Sequence, residues 1–275
     1  MEIKRYFSVN NLKRIKKDFK FLIKFVNTSY GEFDFAIRND YFNIYYKGNS
    51  LAKVEPKKNS LYKISINVKF FDKTKADNPK FYISKSVSGS YISLTLSTKQ
   101  LHPFLQKKHM TEFASRIKTV HNGEEIDFEQ SLITDNLNKQ NIIFIDRQVT
   151  DTILKRKRLD LLALRQIKGN KYKFLVSEVK LGNNTELKNK VATQLDFYVK
   201  HIKDNFVDYK KCYELNFEQK NELGLLNSNS NKIEIIEPVE GIILVGGYSG
   251  IAKSQISELK KSFPHLEIMQ FTNEI

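Results

Sequence analysis

Two carboxylates and a lysine stand where their neighbours are apolar: Asp160 within LDLLAL (159–164), and Glu178 with Lys180 at the end of FLVSEVKL (174–181). An acid-x-Lys tripeptide alone says little. With 31 acidic residues and 38 lysines in 275 positions, roughly four arise by chance, and eight occur, beginning at Glu2, Asp18, Glu55, Glu178, Glu186, Asp208, Glu218 and Glu258. Only Glu178-Val179-Lys180 closes a dense apolar run that follows a second apolar run with its own acid. An ionised carboxylate among Leu, Val and Ala is expensive unless it is paired or bound to a cation. Asp160, Glu178 and the backbone carbonyl of Val179 make an all-oxygen donor set suited to Mg2+, with Mn2+ as a substitute. A cation held there polarises a phosphate and acidifies a bound water. Period-2 geometry projects Lys180 from the same strand face as Glu178, where it can hold or deprotonate a water or neutralise charge on a phosphorane. The same three residues also read as an ion cluster with no metal.

These residues need elements to position them. The polar turn QIKGNK (166–171) joins the two runs as a hairpin, so strands over 159–165 and 172–181 lie side by side and can bring Asp160 to Glu178. From about residue 111 onward the apolar runs are short and dense and alternate with helical patterns, the mark of a mixed sheet with helices on its faces. The patterning predicts a helix over 126–137, a strand over 142–149, a helix over 186–202, a strand in VEGIILVGGY (239–248), a helix over 251–263 and a strand in LEIMQF (266–271). A polar excursion containing LLNSNSNK separates the last three from the rest. Residues 1–110 read differently. An amphipathic helix over 11–26 precedes a hairpin turning at Lys47-Gly48-Asn49 and two alternating runs, 61–71 and 90–97, which together predict a small antiparallel sheet. The expectation is an α+β chain of two domains, 1–110 and 111–275.

LDLLAL followed by SEVK resembles the catalytic hairpin of the PD-(D/E)XK nuclease superfamily. The resemblance implies a restriction-endonuclease-like mixed sheet, metal binding by Asp160 and Glu178, and a catalytic Lys180. Members of that superfamily also carry a glutamate on an upstream helix. Here FEQSLITDNL supplies Glu129, which shares a helical face with Ile126, Leu132 and Ile133 and so points inward as a further candidate for the metal shell. Its neighbours Glu124 and Glu125 read as helix-end acids favoured by the macrodipole. Gln194 and Tyr198 in VATQLDFYV are similar to the Gln-x-x-x-Tyr element of the RecB and lambda-exonuclease branch, and Gln194 falls 14 residues after Lys180. That likeness implies support of the metal site by Gln194 and a position for Tyr198 near the nucleic-acid backbone. The resemblance covers roughly residues 120–200. No proline precedes Asp160; Arg158 stands nearby, and with Arg147 it is a candidate phosphate contact, though each also reads as a strand-end charge.

The charge distribution points the same way. Of the formal +15, residues 1–110 hold 22 Lys+Arg against 8 Asp+Glu, a net of +14. A concentrated positive field attracts a polyanion, and nucleic acid is the commonest in a cell. A lysine-rich surface that merely solubilises gives the same count. One cysteine, Cys212, excludes an internal disulfide or zinc ribbon and fits a reducing, cytoplasmic setting. The lysine-broken amino terminus offers no membrane span. His102, His109, His121, His201 and His265 lack metal-ligand spacing and read as surface or capping residues. VGGYSG (245–250) lacks a dinucleotide fingerprint or Walker lysine, so its glycines read as a tight turn.

The sequence therefore predicts a Mg2+-dependent nuclease acting on DNA, in a restriction or phage-defence setting, with a homodimer for duplex cutting. Residues 1–110 would grip nucleic acid or a protein partner. Three rivals remain open at this point: a nucleic-acid-binding protein on an inactive nuclease fold, an RNA-cleaving enzyme with the same site, and an interaction or regulatory subunit whose sheet in the first part docks a partner.

Overall fold

The computed structural model describes residues 2–120, 123–135, 141–226 and 230–271. The chain divides into two compact units, both mixed α+β. One, the basic unit, comprises Lys4–Gly123 and Glu218–Asn231; the other, the acid-site unit, comprises Met1–Ile3, Glu124–Phe217 and Lys232–Ile275. The break expected at 110/111 falls inside a helix, Lys107–Val120, that stays with the basic unit. Partitioned this way, the basic unit holds 25 Lys+Arg against 10 Asp+Glu, a net of +15, and the acid-site unit holds 21 of each.

In the basic unit, α1 (Val9–Asp18) and α2 (Lys20–Asn27) replace the single helix expected there. They break at Phe19, whose ring drops into the core and meets Phe42 and Tyr62 edge to face, 5.0 Å from each. Six antiparallel strands follow: β1 (Phe33–Ile37), β2 (Phe42–Tyr46), β3 (Asn49–Pro56), β4 (Leu61–Asn67), β5 (Ser84–Ser88) and β6 (Tyr91–Ser97), in the order β1-β2-β3-β4-β6-β5. Tyr46 pairs with Asn49 across Lys47 and Gly48, both at positive φ, which is the two-residue turn the sequence signals. Helices α3 (Val68–Phe71), α4 (Thr98–Phe104) and α5 (Lys107–Val120) complete the unit.

The acid-site unit runs α6 (Glu124–Thr134), β7 (Ile142–Val149), β8 (Leu159–Lys168), β9 (Lys171–Leu181), α7 (Glu186–Asn189), α8 (Val191–Asp204), α9 (Phe206–Glu222), β10 (Glu234–Ile235), β11 (Glu240–Gly246), α10 (Ser249–Ser262) and β12 (Glu267–Phe271). The last residues of α9 group with the basic unit. The sheet order is β12-β11-β9-β8-β7, with β7, β8 and β9 antiparallel and β11 parallel to both β9 and β12. A parallel partner for β9 requires a crossover, and α7 to α9 supply it. Alternation splits β9 between two faces. Leu175 and Val179 join Leu161, Ala163 and Leu132 of α6 in one core, while Phe174 packs against Tyr209 and Tyr213 of α9.

Helix α6 starts two residues before the expected 126, and the predicted end at Leu137 lies outside the described residues, as do His121 and residues 227–229 of the LLNSNSNK run. The helix expected over 186–202 is broken at Lys190 into α7 and α8. Helix α9 answers to no sequence expectation. Its buried stripe of Tyr209, Cys212, Tyr213, Asn216, Phe217 and Gln219 mixes aromatic with polar side chains, so the polar excursion hid a helical period. At the end of β11, Gly246 is fixed by packing as well as by the turn, since a Cβ there would lie 2.6 Å from the Phe128 ring. No helix of the described residues is long and apolar enough to cross a membrane.

Candidate active site

The hairpin of β8 and β9 brings the acids together as its turn requires. Leu161 pairs with Ser177, and the same register one residue further sets Asp160 opposite Glu178. Asp160 Oδ2 accepts the Val179 backbone N–H at 3.1 Å, which ties the first acid to the second strand at its point of chemistry. Lys180 Nζ lies 3.5 Å from Asp160 Oδ2, 3.7 Å from Glu178 Oε2 and 3.9 Å from Glu125 Oε1. The Glu178 and Lys180 side chains are 3% and 7% exposed, so the cluster is dry on its inner side; Asp160, at 17%, opens it to solvent.

Electrostatics follow from that burial. Burial and the neighbouring Asp160 charge raise the Glu178 carboxyl well above the usual carboxylate range, and the Lys180 ammonium only partly offsets them. Burial pulls Lys180 down, but Asp160, Glu125, Glu178 and Glu186 outweigh it and hold the lysine protonated above its ordinary range. Three carboxylates around one ammonium leave an excess of two negative charges when all are ionised. Moreover, Glu178 Oε1 is buried with no hydrogen-bond partner, an open acceptor of the kind a buried carboxylate seldom keeps.

The remaining expected residues divide. Glu129 is buried on α6, where its carboxylate accepts from Arg147 at 3.1 Å and from Gln148 at 3.2 Å on both oxygens. Burial lifts its carboxyl to about 7 against the pull of Arg147, and the Asp160 charge adds to the rise, which places Glu129 in the electrostatic surroundings of the site. Arg147, a candidate phosphate contact by sequence, is instead 1% exposed and serves Glu129, because an inward acid on α6 needs a cation. Tyr198 is also buried. Its phenol is raised to about 12 by burial and by the charges of Glu178 and Asp160, so it lies in the field of the acids, with little surface to offer a backbone. Gln194, one turn before it on α8, keeps a buried side-chain oxygen without a donor. Arg158 is exposed.

Three residues escaped the sequence reading. Glu125, taken as a helix-end acid, turns its carboxylate to Lys180 and accepts from Asn184 at 3.1 Å; the dipole explanation for first-turn acids masked it. His201 and His109, read as surface or capping residues, are buried: His201 pairs with Asp151 at 2.6 Å, and His109 meets the Phe104 carbonyl at 2.9 Å. His109 thus takes the last carbonyl of α4, a capping role, whereas the partner of His201 lies 50 residues away, where spacing carried no signal.

Among the described residues no three His, Cys, Asp or Glu side chains form a preformed metal cage. A hard cation that keeps most of its waters needs only one or two carboxylates. The orphaned Glu178 oxygen, the adjacent Asp160 and the uncompensated charge fit such an ion. No protein-family model, curated protein or solved structure matches this chain.

Proposed function

We propose that the chain is a divalent-metal-dependent nuclease that hydrolyses phosphodiester bonds, with DNA as substrate. One observation carries the reading: a buried carboxylate, a half-buried one and a lysine converge at the ends of β8 and β9, with one acid oxygen left open. The order α6-β7-β8-β9-α8-β11, with β11 parallel to β9, supports it, since it sets the hairpin centrally and covers it with helices. The net charge of +15 on the basic unit supports a polyanionic substrate.

Asp160 and Glu178 side chains and the Val179 carbonyl would hold the ion, whose contribution is to polarise the phosphate and lower the pKa of a bound water. Glu129 stands outside that set, because Arg147 and Gln148 occupy both of its oxygens. Its part is to carry Arg147 at the back of the sheet. Lys180, held as an ammonium by its acidic neighbours, donates to the water or to a phosphate oxygen and stabilises charge that builds up as water attacks phosphorus. The attacking water gives up a proton, the bridging P–O bond breaks, and the departing oxygen takes up a proton to leave an alcohol and a phosphomonoester. The buried oxygen of Gln194, which has no donor, would accept from an ordered water.

The test is incubation of purified protein with Mg2+ or Mn2+ and matched panels of duplex and single-stranded DNA and RNA. Metal-dependent cleavage of DNA, lost in Lys180→Ala and in Asp160→Ala, is the expected result. Cleavage undiminished in both variants, or present in chelator, refutes the assignment.

A further inference from the structure

Between β7 and β8 the chain makes a loop, residues 150–158, that carries Lys155, Arg156, Lys157 and Arg158 in succession, all exposed. The acid-site unit is formally neutral, yet here four of its 21 cations stand together, and among the described residues no acidic side chain pairs with any of them. An ordinary solvated charge run needs no anchor. This one has an anchor that is buried and polar. Asp151 Oδ1 accepts from the backbone N–H groups of Ile153 and Leu154, each at 2.8 Å, while Asp151 Oδ2 is held by His201 Nε2 at 2.6 Å and by the Tyr209 hydroxyl at 2.8 Å. The Asp151 side chain is 0% exposed, and Leu154 is buried beside it. The loop's far end runs directly into β8, whose first residue, Leu159, is buried. Lys157 Nζ sits 4.1 Å over the half-exposed ring of Phe197, which gives that cation a defined direction. Two residues after the run comes Asp160.

A buried carboxylate spent on a surface loop implies that the position of the loop matters. We propose that this loop is the phosphate grip of the site: Lys155, Arg156, Lys157 and Arg158 hold the backbone of a nucleic-acid strand beside the scissile ester, and Asp151, His201 and Tyr209 fix the loop in place. The inference rests on the nuclease reading for the word scissile, but the grip itself is a binding property and is measured without turnover. It moves the contact that matters for alignment from the diffuse charge of the basic unit to four cations next to the acids. Phosphate contacts of this kind set register and orientation without reading bases, so the grip is indifferent to sequence.

The experiment measures binding of labelled duplex and single-stranded oligonucleotides by fluorescence anisotropy, in chelator, over a series of salt concentrations. Each phosphate neutralised contributes about 0.9 to the slope of log K against log salt on duplex and about 0.7 on a single strand. The triple variant K155A/R156A/K157A is expected to flatten the slope by about 2 to 3 and to weaken binding at least tenfold at low salt, in the arm that matches the strand form gripped. A charge-matched triple on exposed lysines of α10, K253A/K260A/K261A, is expected to leave the slope unchanged. Tyr209→Phe, which removes one anchor bond and keeps the ring, is expected to speed tryptic cleavage within 155–158 while the overall fold persists. A slope equal to wild type in the loop triple, an equal loss in the α10 triple, or no binding of either strand form overturns the grip. If the loop triple binds as wild type while Lys180→Ala still abolishes cleavage, the grip alone fails. If the loop triple loses slope while wild type cleaves nothing, the grip holds and the nuclease reading fails.

Discussion

Buried polar groups are treated differently in the two units. In the basic unit they mostly close on one another: Tyr62 donates to Asp18 beneath the Arg14 guanidinium, which itself donates to the carbonyls of Lys57 and Leu61, and Gln219 makes paired bonds to the backbone of Phe7. Asn43 Oδ1 is an exception. In the acid-site unit Glu178, Gln194, Ser177, Gln255 and Gln270 keep buried polar atoms without partners, and Glu178 and Ser177 lie at or beside the acid cluster. The first pattern is what stability selects, because an unmade buried bond costs about 1–3 kcal/mol. The second makes sense where something outside the chain completes the set. The contrast also separates two uses of charge: the basic unit carries +15 at large, whereas the acid-site unit is neutral overall and sets a cluster of acids beside a run of four cations.

If that contrast is right, the largest effects of mutation are functional and fall in the acid-site unit. Lys180→Ala and Asp160→Ala are expected to cut the cleavage rate by about 10^2 to 10^4, the range for loss of a charge-stabilising or proton-handling group, read as initial rates on a DNA substrate. Stability changes come next. Glu129→Ala removes the buried carboxylate that faces Arg147 and is expected to cost about 3–5 kcal/mol in denaturant unfolding, as breaking a buried pair does. Adding Arg147→Met should recover most of it; failure to recover would point to the bonds that Gln148 makes to Glu129.

A smaller effect depends on pH. The folded chain holds the Glu129 proton to about 7, whereas the ordinary value is 4.5, so the native state binds more protons than the unfolded chain in between. Stability therefore falls as pH rises from about 4.5 to 7, by at most about 3 kcal/mol from this group. Glu129→Gln should make the dependence shallower in melts run across that window, the raised Glu178 carboxyl supplying the remaining slope; an unchanged slope would place the whole titration elsewhere. The smallest change is the comparator in the basic unit. Asp18→Asn keeps an acceptor for Tyr62 and should cost no more than about 1 kcal/mol by the same unfolding assay. A cost as large as that of Glu129→Ala would erase the distinction between the two units.

The sequence made the strands around the site legible because their signals are local. Apolar runs of the right length and the Gly169 turn locate β8 and β9, although β8 runs on from the expected Arg165 to Lys168, and period-2 alternation puts Glu178 and Lys180 on one face. The small sheet of the basic unit was readable for the same reason, through Lys47-Gly48. What stayed hidden depends on distant partners. Arg147 looks like a surface cation until Glu129 is seen across from it, 18 positions earlier. The Asp151–His201 pair, 50 residues apart, turns a run of basic residues into a fixed loop. Helix α9 was lost because its inward face is built from Tyr, Asn and Gln as much as from aliphatic side chains. Glu125 was lost because an acid in a first helical turn already has an explanation.

The central claim is that Asp160 and Glu178 share one divalent cation, and calorimetric titration of the intact chain with Mn2+ in the absence of nucleic acid tests it most directly. One saturable site per chain, abolished in both Asp160→Asn and Glu178→Gln while Glu125→Gln and Glu129→Gln retain it, is the predicted result. Absence of saturable binding, or a site that survives loss of both acids, would contradict the account.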